Sequence, residues 1–264
     1  IPSDRSSWGP GAMLAERALA VQHQLAEQAA ATSGAAGIEK IVGDLWATGM
    51  DEAAIEAQGI APLATRLSEI DAIADPAGLT AYLKSAAARG DDVPFGFGPE
   101  ADFKDSGMTI AYVTQGGLGL PDRGYYFDAD KKEKLAAYEA HIAKMLELSG
   151  LAADAAASQS RDVVAFETRL AQASKSRQDL ARDISLYYNP IVPAEADKLT
   201  PNFSWTDFFT SQGVAVPAMF SLSVPAFHQE VSAMIAGEPI GHWKSYLRFH
   251  AVDGAAPYLS DKFV

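Results

Sequence analysis

Gly116-Gly-Leu-Gly-Leu-Pro-Asp-Arg-Gly-Tyr-Tyr-Phe127 is too rich in Gly and Pro for a helix or a strand, yet it carries an arginine and three aromatic rings. Gly and Pro restrict such a loop to a few backbone shapes. A guanidinium held there can stack on rings and bond carbonyls. We read Pro121, Arg123, Tyr125 and Tyr126 as a structural clamp between two helical layers. The Gly116–Gly119 run lacks the Gly-x-Gly-x-x-Gly spacing of a phosphate cradle and follows a strand without opening a helix, so it reads as a tight turn using positive φ. Upstream, Val93-Pro-Phe-Gly-Phe-Gly98 and Met108-Thr-Ile-Ala-Tyr-Val-Thr-Gln115 are β-prone. They predict two antiparallel strands, a small insertion near 93–115 in a mainly α protein.

Beyond this segment the sequence reads as a multi-helix lobe. Its 49 alanines are nearly a fifth of the chain, and Ala is the strongest helix former. Leu14, Ala18, Val21 and Leu25 form one stripe on a helix over roughly residues 11–32, which Gly34 and Gly37 end. A second helix begins near Ile38, with Ile41, Leu45 and Trp46 on its apolar side. Asp75-Pro76 is an N-cap followed by Pro at the first helical position, and that helix ends at Gly90. Asp130 with Glu133 reads as a capping box, and Gly150 as the C′ residue of the same helix. Further helices are predicted over 160–173, 204–211, 225–236 and 239–251. No linker is long enough to set a domain boundary.

Composition narrows the function. The chain has 264 residues, 21 basic against 34 acidic side chains and a net charge of −13. That balance argues against nucleic acid, which is bound by neutralising phosphates with Lys and Arg. No apolar run is long enough to span a membrane. Cysteine is absent, which removes disulfides and thiolate chemistry. Residue 1 is Ile rather than Met, which reads as a processed or truncated start.

No local motif carries catalysis. His23, His141, His228, His242 and His250 lack the i, i+4 spacing of a zinc helix, and they read as separate surface or interface residues. Asp91-Asp92 and Asp44/Asp51/Glu52 read as solvated faces and helix caps. No catalytic or metal-ligating residue is assigned.

At Leu118–Tyr126 the chain resembles the neprilysin-like family of zinc metallopeptidases, especially its bacterial oligopeptidase members. The family pattern Leu-Gly-Leu-Pro-x-Arg-Asp-Tyr-Tyr is matched with Gly124 in place of Asp. Further matches follow in family order. They are Ile1–Gly9, Ile41–Glu52, Tyr187-Tyr-Asn-Pro190 and Pro201-Asn-Phe-Ser-Trp-Thr-Asp-Phe-Phe209. The resemblance implies a two-lobed, mostly helical enzyme whose zinc ligands, in His-Glu-x-x-His and a later Glu, belong to a C-terminal lobe. Residues 1–264 then form the N-terminal lobe, which walls a cavity and limits substrates to small peptides. They contain no zinc ligands and bind no cofactor by themselves. The partners implied are the C-terminal catalytic lobe and peptide substrates, and family habit points to the periplasm or cell envelope.

The same resemblance places substrate contacts near Ser7, Trp8 and Gly11. Mammalian members carry an Arg where Ser7 stands, before Trp8-Gly9, and it can bind a substrate's terminal carboxylate. Many members have Phe where Gly11 stands and Arg where Ala15 stands. An arginine fork reads a carboxylate bidentately, so its loss at Ser7 predicts a weakened preference for releasing C-terminal dipeptides. Arg5 and Arg17 are close enough in sequence to compensate. The competing reading is a non-catalytic helical peptide-binding or scaffold protein derived from the same lobe.

Overall fold

The computed structural model describes residues 3, 5, 8–32, 34, 36–91 and 94–264. Ser7, Asp92 and Val93 lie outside the described residues. The chain divides into two compact units, residues 1–59 with Tyr258–Lys262 and Val264, and residues 60–257 with Phe263.

In the first unit, α1 (Pro10–Ala31) and α2 (Gly37–Gly49) pack on each other, and α3 (Glu52–Gln58) follows. Pro10 opens α1 where its missing N–H is harmless. The α1–α2 crossing is close at Gly43, where a Cβ would lie 2.6 Å from the Ala29 carbonyl oxygen. The predicted stripe exists, but it faces out: Leu14, Val21 and Leu25 are exposed, as are Ile41 and Leu45 on α2. Trp46 is half-buried and meets the His23 ring edge-on at 4.7 Å. Asp51 caps α3 by accepting from the Ala54 N–H, and Asp44 pairs with Lys40.

The second unit begins with α4 (Ala64–Asp71) and α5 (Pro76–Ala88). Asp75 caps α5 as predicted, accepting from the Gly78 N–H at 2.8 Å, and Gly90 takes a φ of 85° just after it. Strands β1 (Phe95–Ala101) and β2 (Thr109–Gln115) pair antiparallel, with Phe95 opposite Gln115 and Ala101 opposite Thr109. Then come α6 (Lys132–Leu148), α7 (Ala153–Ala173), α8 (Arg177–Arg182), α9 (Ile184–Tyr187), β3 (Pro190–Ile191), α10 (Pro193–Leu199), α11 (Trp205–Ser211), β4 (Phe220–Leu222), α12 (Pro225–Gly237) and α13 (Ile240–Ala255). The hairpin is therefore half of a four-stranded sheet ordered β1-β2-β4-β3, in which β4 runs parallel to β2. The fold is mainly α with a small β insertion.

The capping box at Asp130 does not form. Asp130 sits in a 3₁₀ turn (Ala129–Lys131), its carboxylate bonds the Lys131 ammonium, and α6 starts at Lys132. Helix α7 begins seven residues before the predicted start, because Ala153–Ser160 continues the helix with good helix formers.

The core of this unit has two aromatic centres. Phe95, Phe203, Trp205, Phe208 and Phe220 surround one. Phe166, Trp243, Tyr246 and Phe249 form the other, where α7 and α13 pack. His228 is fully buried in the first, against Phe95, Trp205 and Phe227. It is not a surface or interface histidine.

Candidate functional site: the loop clamp and its cleft

The loop after β2 is stitched to three helices through a single carboxylate. Glu167 on α7 is 0 % exposed and receives the Tyr126 hydroxyl at 2.5 Å, the Tyr138 hydroxyl of α6 at 3.0 Å and the Gly119 N–H at 3.3 Å. His250 of α13 places Nε2 2.7 Å from Oε1, whereas Tyr126 and Gly119 bond Oε2 and Tyr138 lies 3.0 Å from both. A buried charge is tolerated only when its lone pairs are filled, and here four donors from three segments, the loop, α6 and α13, fill them. Burial, and then the neighbouring Glu167 charge, push the Tyr126 and Tyr138 phenols well up, so both remain hydrogen-bond donors. Tyr246, also pushed up by burial, donates to the Gly117 carbonyl at 2.8 Å.

The glycines are required by this contact. A Cβ at Gly119 would overlap the Tyr138 hydroxyl, and one at Gly117, where φ is 74°, would overlap the Tyr246 hydroxyl. Of the predicted clamp residues, Arg123 donates from Nε to the Ala171 carbonyl near the end of α7 and lies over the Phe127 ring at 5.3 Å. Tyr126 is buried on Glu167, Tyr125 is half-buried beneath the Lys131 ammonium, and Pro121 is exposed. Asp122 accepts from the Gly124 and Arg177 N–H groups, which ties the turn to the start of α8. At Gly124, where the family pattern has Asp, a Cβ would lie 2.7 Å from Asp128 Oδ2, so the Asp128 carboxylate occupies that space.

Beside the clamp lies a cleft of about 170 Å³. Residues 115–118 and 120–123 form one wall, and Ser174, Lys175 and Arg177 the other. Gln115 bridges the walls with its amide, donating to the Lys175 carbonyl and accepting from the Lys175 N–H, both at 2.8 Å.

The residues of the other family-like stretches pack locally. Tyr187 and Tyr112 stack at 5.4 Å, and Tyr188 donates to Asp102 at 2.5 Å. That bond, then burial, raise the Tyr188 phenol to about 12. Phe203 and Trp205 belong to the aromatic core. In the first unit Trp8 is half-buried before α1, and Gly11 lies exposed in its first turn, with no atom outside its chain neighbours and its own helix backbone within 4 Å of where a Cβ would stand. Ser7, the third of these sequence-predicted residues, is not described.

Sequence reading missed Glu167 and His250. A lone acid interrupting the apolar stripe Val163, Phe166 and Leu170 of α7 was the available signal. His242 bonds Glu238 and His141 bonds Asp253, so these two and His250 each have separate carboxylate partners. Among the described residues, no group of three or more His, Asp or Glu side chains could hold a metal ion. Zinc therefore has no fitting site among them.

The family model described as Peptidase family M13 matches residues 1–264. The chain belongs to peptidase family M13. This M13 chain superposes on the cryo-EM structure of Mycobacterium tuberculosis zinc metalloprotease Zmp1 in its open state with a TM-score of 0.92 and 32% identity, covering 100% of this chain and 41% of that one. The crystal structure of Zmp1 with an inhibitor gives 0.90 at the same identity, again over the whole of this chain and 40% of the other. Rattus norvegicus endothelin-converting enzyme 1 is 26% identical across 100% of this chain and 36% of its own length. Endothelin-converting enzyme-like 1 of the same species is 30% identical over 61% of this chain and 21% of its own. The M13 chain thus spans well under half the length of these proteins. Among its described residues, no helix is long and apolar enough to cross a membrane.

Proposed function

We propose that this chain is the N-terminal, non-catalytic lobe of a zinc-dependent metalloendopeptidase that cleaves small peptides. The match of the family M13 model across all 264 residues carries this reading. In it, the zinc, the attacking water and the base that activates it belong to a C-terminal lobe, and the present lobe forms a cavity wall that excludes large substrates. The open apolar stripe on α1 and α2, from Leu14 to Leu45, supports a further packing partner in the whole protein. We assign that partner to the catalytic lobe, and the site of action to the periplasm or cell envelope.

Ser7, Trp8 and Gly11 are proposed as the edge of the substrate site, with Ser7 unable to supply the guanidinium fork that would read a free carboxylate. The test is hydrolysis of internally quenched peptides by residues 1–264 and by the whole protein. The reading expects no turnover from the former and chelator-sensitive turnover, limited to short peptides, from the latter. Chelator-resistant hydrolysis by residues 1–264 would overturn it.

A further inference from the structure

We propose that the cleft beside the clamp binds the carboxylate side chain of an acidic peptide residue, Glu or Asp. Three cations line it, Arg123, Lys175 and Arg177, in a chain whose net charge is −13. None of the three forms an ion pair within the described residues, and Lys175 and Arg177 make no side-chain hydrogen bond there. Arg123 spends Nε on the Ala171 carbonyl, which fixes the guanidinium and leaves its two terminal nitrogens for a ligand. The one carboxylate in the lining, Asp122, already accepts from two backbone N–H groups. Asp179 stands nearby, engaged by the Ser176 hydroxyl and within electrostatic reach of Lys175 and Arg123, so the Asp122 and Asp179 carboxylates offset two of the three positive charges and leave an excess of one.

Two further features select a side chain over a bare ion. Leu118, Leu120 and Pro121 line the wall next to the cations, so a methylene stem has apolar surface to lie on while its carboxylate meets the charges. At about 170 Å³ the cleft is close in size to cavities that admit benzene, which suits one side chain rather than a peptide segment. The paired Gln115–Lys175 hydrogen bonds hold the walls in place before a ligand arrives, which lowers the cost of binding. The site lies away from Ser7 and Gly11 in sequence, and it requires no peptidase activity.

The experiment measures fluorescence anisotropy of a labelled, N-acetylated, C-amidated short peptide carrying Glu, against the same peptide carrying Gln. Chelator is present throughout to suppress hydrolysis. The Glu peptide is expected to bind about tenfold more tightly, and added salt to erase the difference. In the Lys175→Ala/Arg177→Ala double variant the preference should fall to about twofold or less. Both side chains are exposed, and an unchanged circular dichroism spectrum verifies folding. Equal affinity for the two peptides, or a preference that survives the double substitution, would overturn the proposal. Binding of inorganic phosphate to the cleft without discrimination between the peptides would overturn it in favour of a phosphate site.

Discussion

Replacing His228 with Phe should remove most of the acid sensitivity that this histidine imposes. The imidazole is 1 % exposed, ringed by Phe95, Trp205 and Phe227, and neither ring nitrogen has a hydrogen-bond partner. Burial lowers its pKa from 6.5 to about 3, and the Ser223 backbone, close enough to interact but outside hydrogen-bond geometry, opposes that shift. The unfolded chain therefore takes up a proton below pH 6.5 that the folded chain refuses. Stability is full above that pH and falls as pH drops, until the folded pKa is reached. The linkage amounts to roughly 2 kcal/mol between pH 7.5 and 5, and roughly 4 kcal/mol by pH 3. Phe fills the ring space and cannot titrate. Urea unfolding of both proteins at pH 7.5 and pH 5, followed by Trp fluorescence, isolates the effect, since all other groups titrate alike in the two. His228→Phe should lose about 2 kcal/mol less than the parent on acidification. Equal losses would show that the histidine is solvated or bonded in solution, and would refute the reasoning.

Glu167→Ala should destabilise by about 3–5 kcal/mol, because two phenols and an imidazole lose one shared buried acceptor. Calorimetry should show a fall of about 6 °C or more, and a smaller shift would mean that the clamp is held by packing alone. Gly119→Ala should cost about 2 kcal/mol or more by forcing Tyr138 aside, read in the same calorimetric experiment. Gly43→Val should separate α1 from α2 and expose residues 10–49 to limited proteolysis, while a cleavage pattern like the parent's would contradict the close crossing at Ala29. On the proposed function, in which Ser7 stands at the edge of the substrate site, amidating the C-terminus of a peptide substrate of the whole protein should change kcat/KM by less than about threefold, since Ser7 offers no guanidinium fork. A change of about tenfold or more would show that another cation reads that carboxylate.

Local chemistry was the legible part of this fold. Asp75-Pro76 and Gly150 mark helix ends because caps act within one turn, and α1 was readable from its spacing and its flanking glycines. The Asp130–Glu133 pattern failed because Lys131 offers that carboxylate a stronger partner than a backbone N–H. Strands β3 and β4, two and three residues long, are too short to show a period. Their pairing is decided by the aromatic core beneath them. The stripe on α1 was legible as a stripe, but periodicity reports a face and does not name what covers it.

The clamp was half legible. Arg123 and the tyrosines stood out as loop aromatics beside an arginine. Glu167 and His250 were hidden because the bonds that matter span 29 to 83 residues in sequence. The cleft was hidden as well, since Lys175 and Arg177 look like ordinary surface cations until Gln115 draws their strand of chain against the loop.

The most direct test of the central claim is to read the coding sequence downstream of Val264. The account predicts continuation into a second lobe carrying His-Glu-x-x-His and a later Glu ligand. A stop codon close behind Val264 would contradict it, and would leave a helical binding protein built on an M13 lobe.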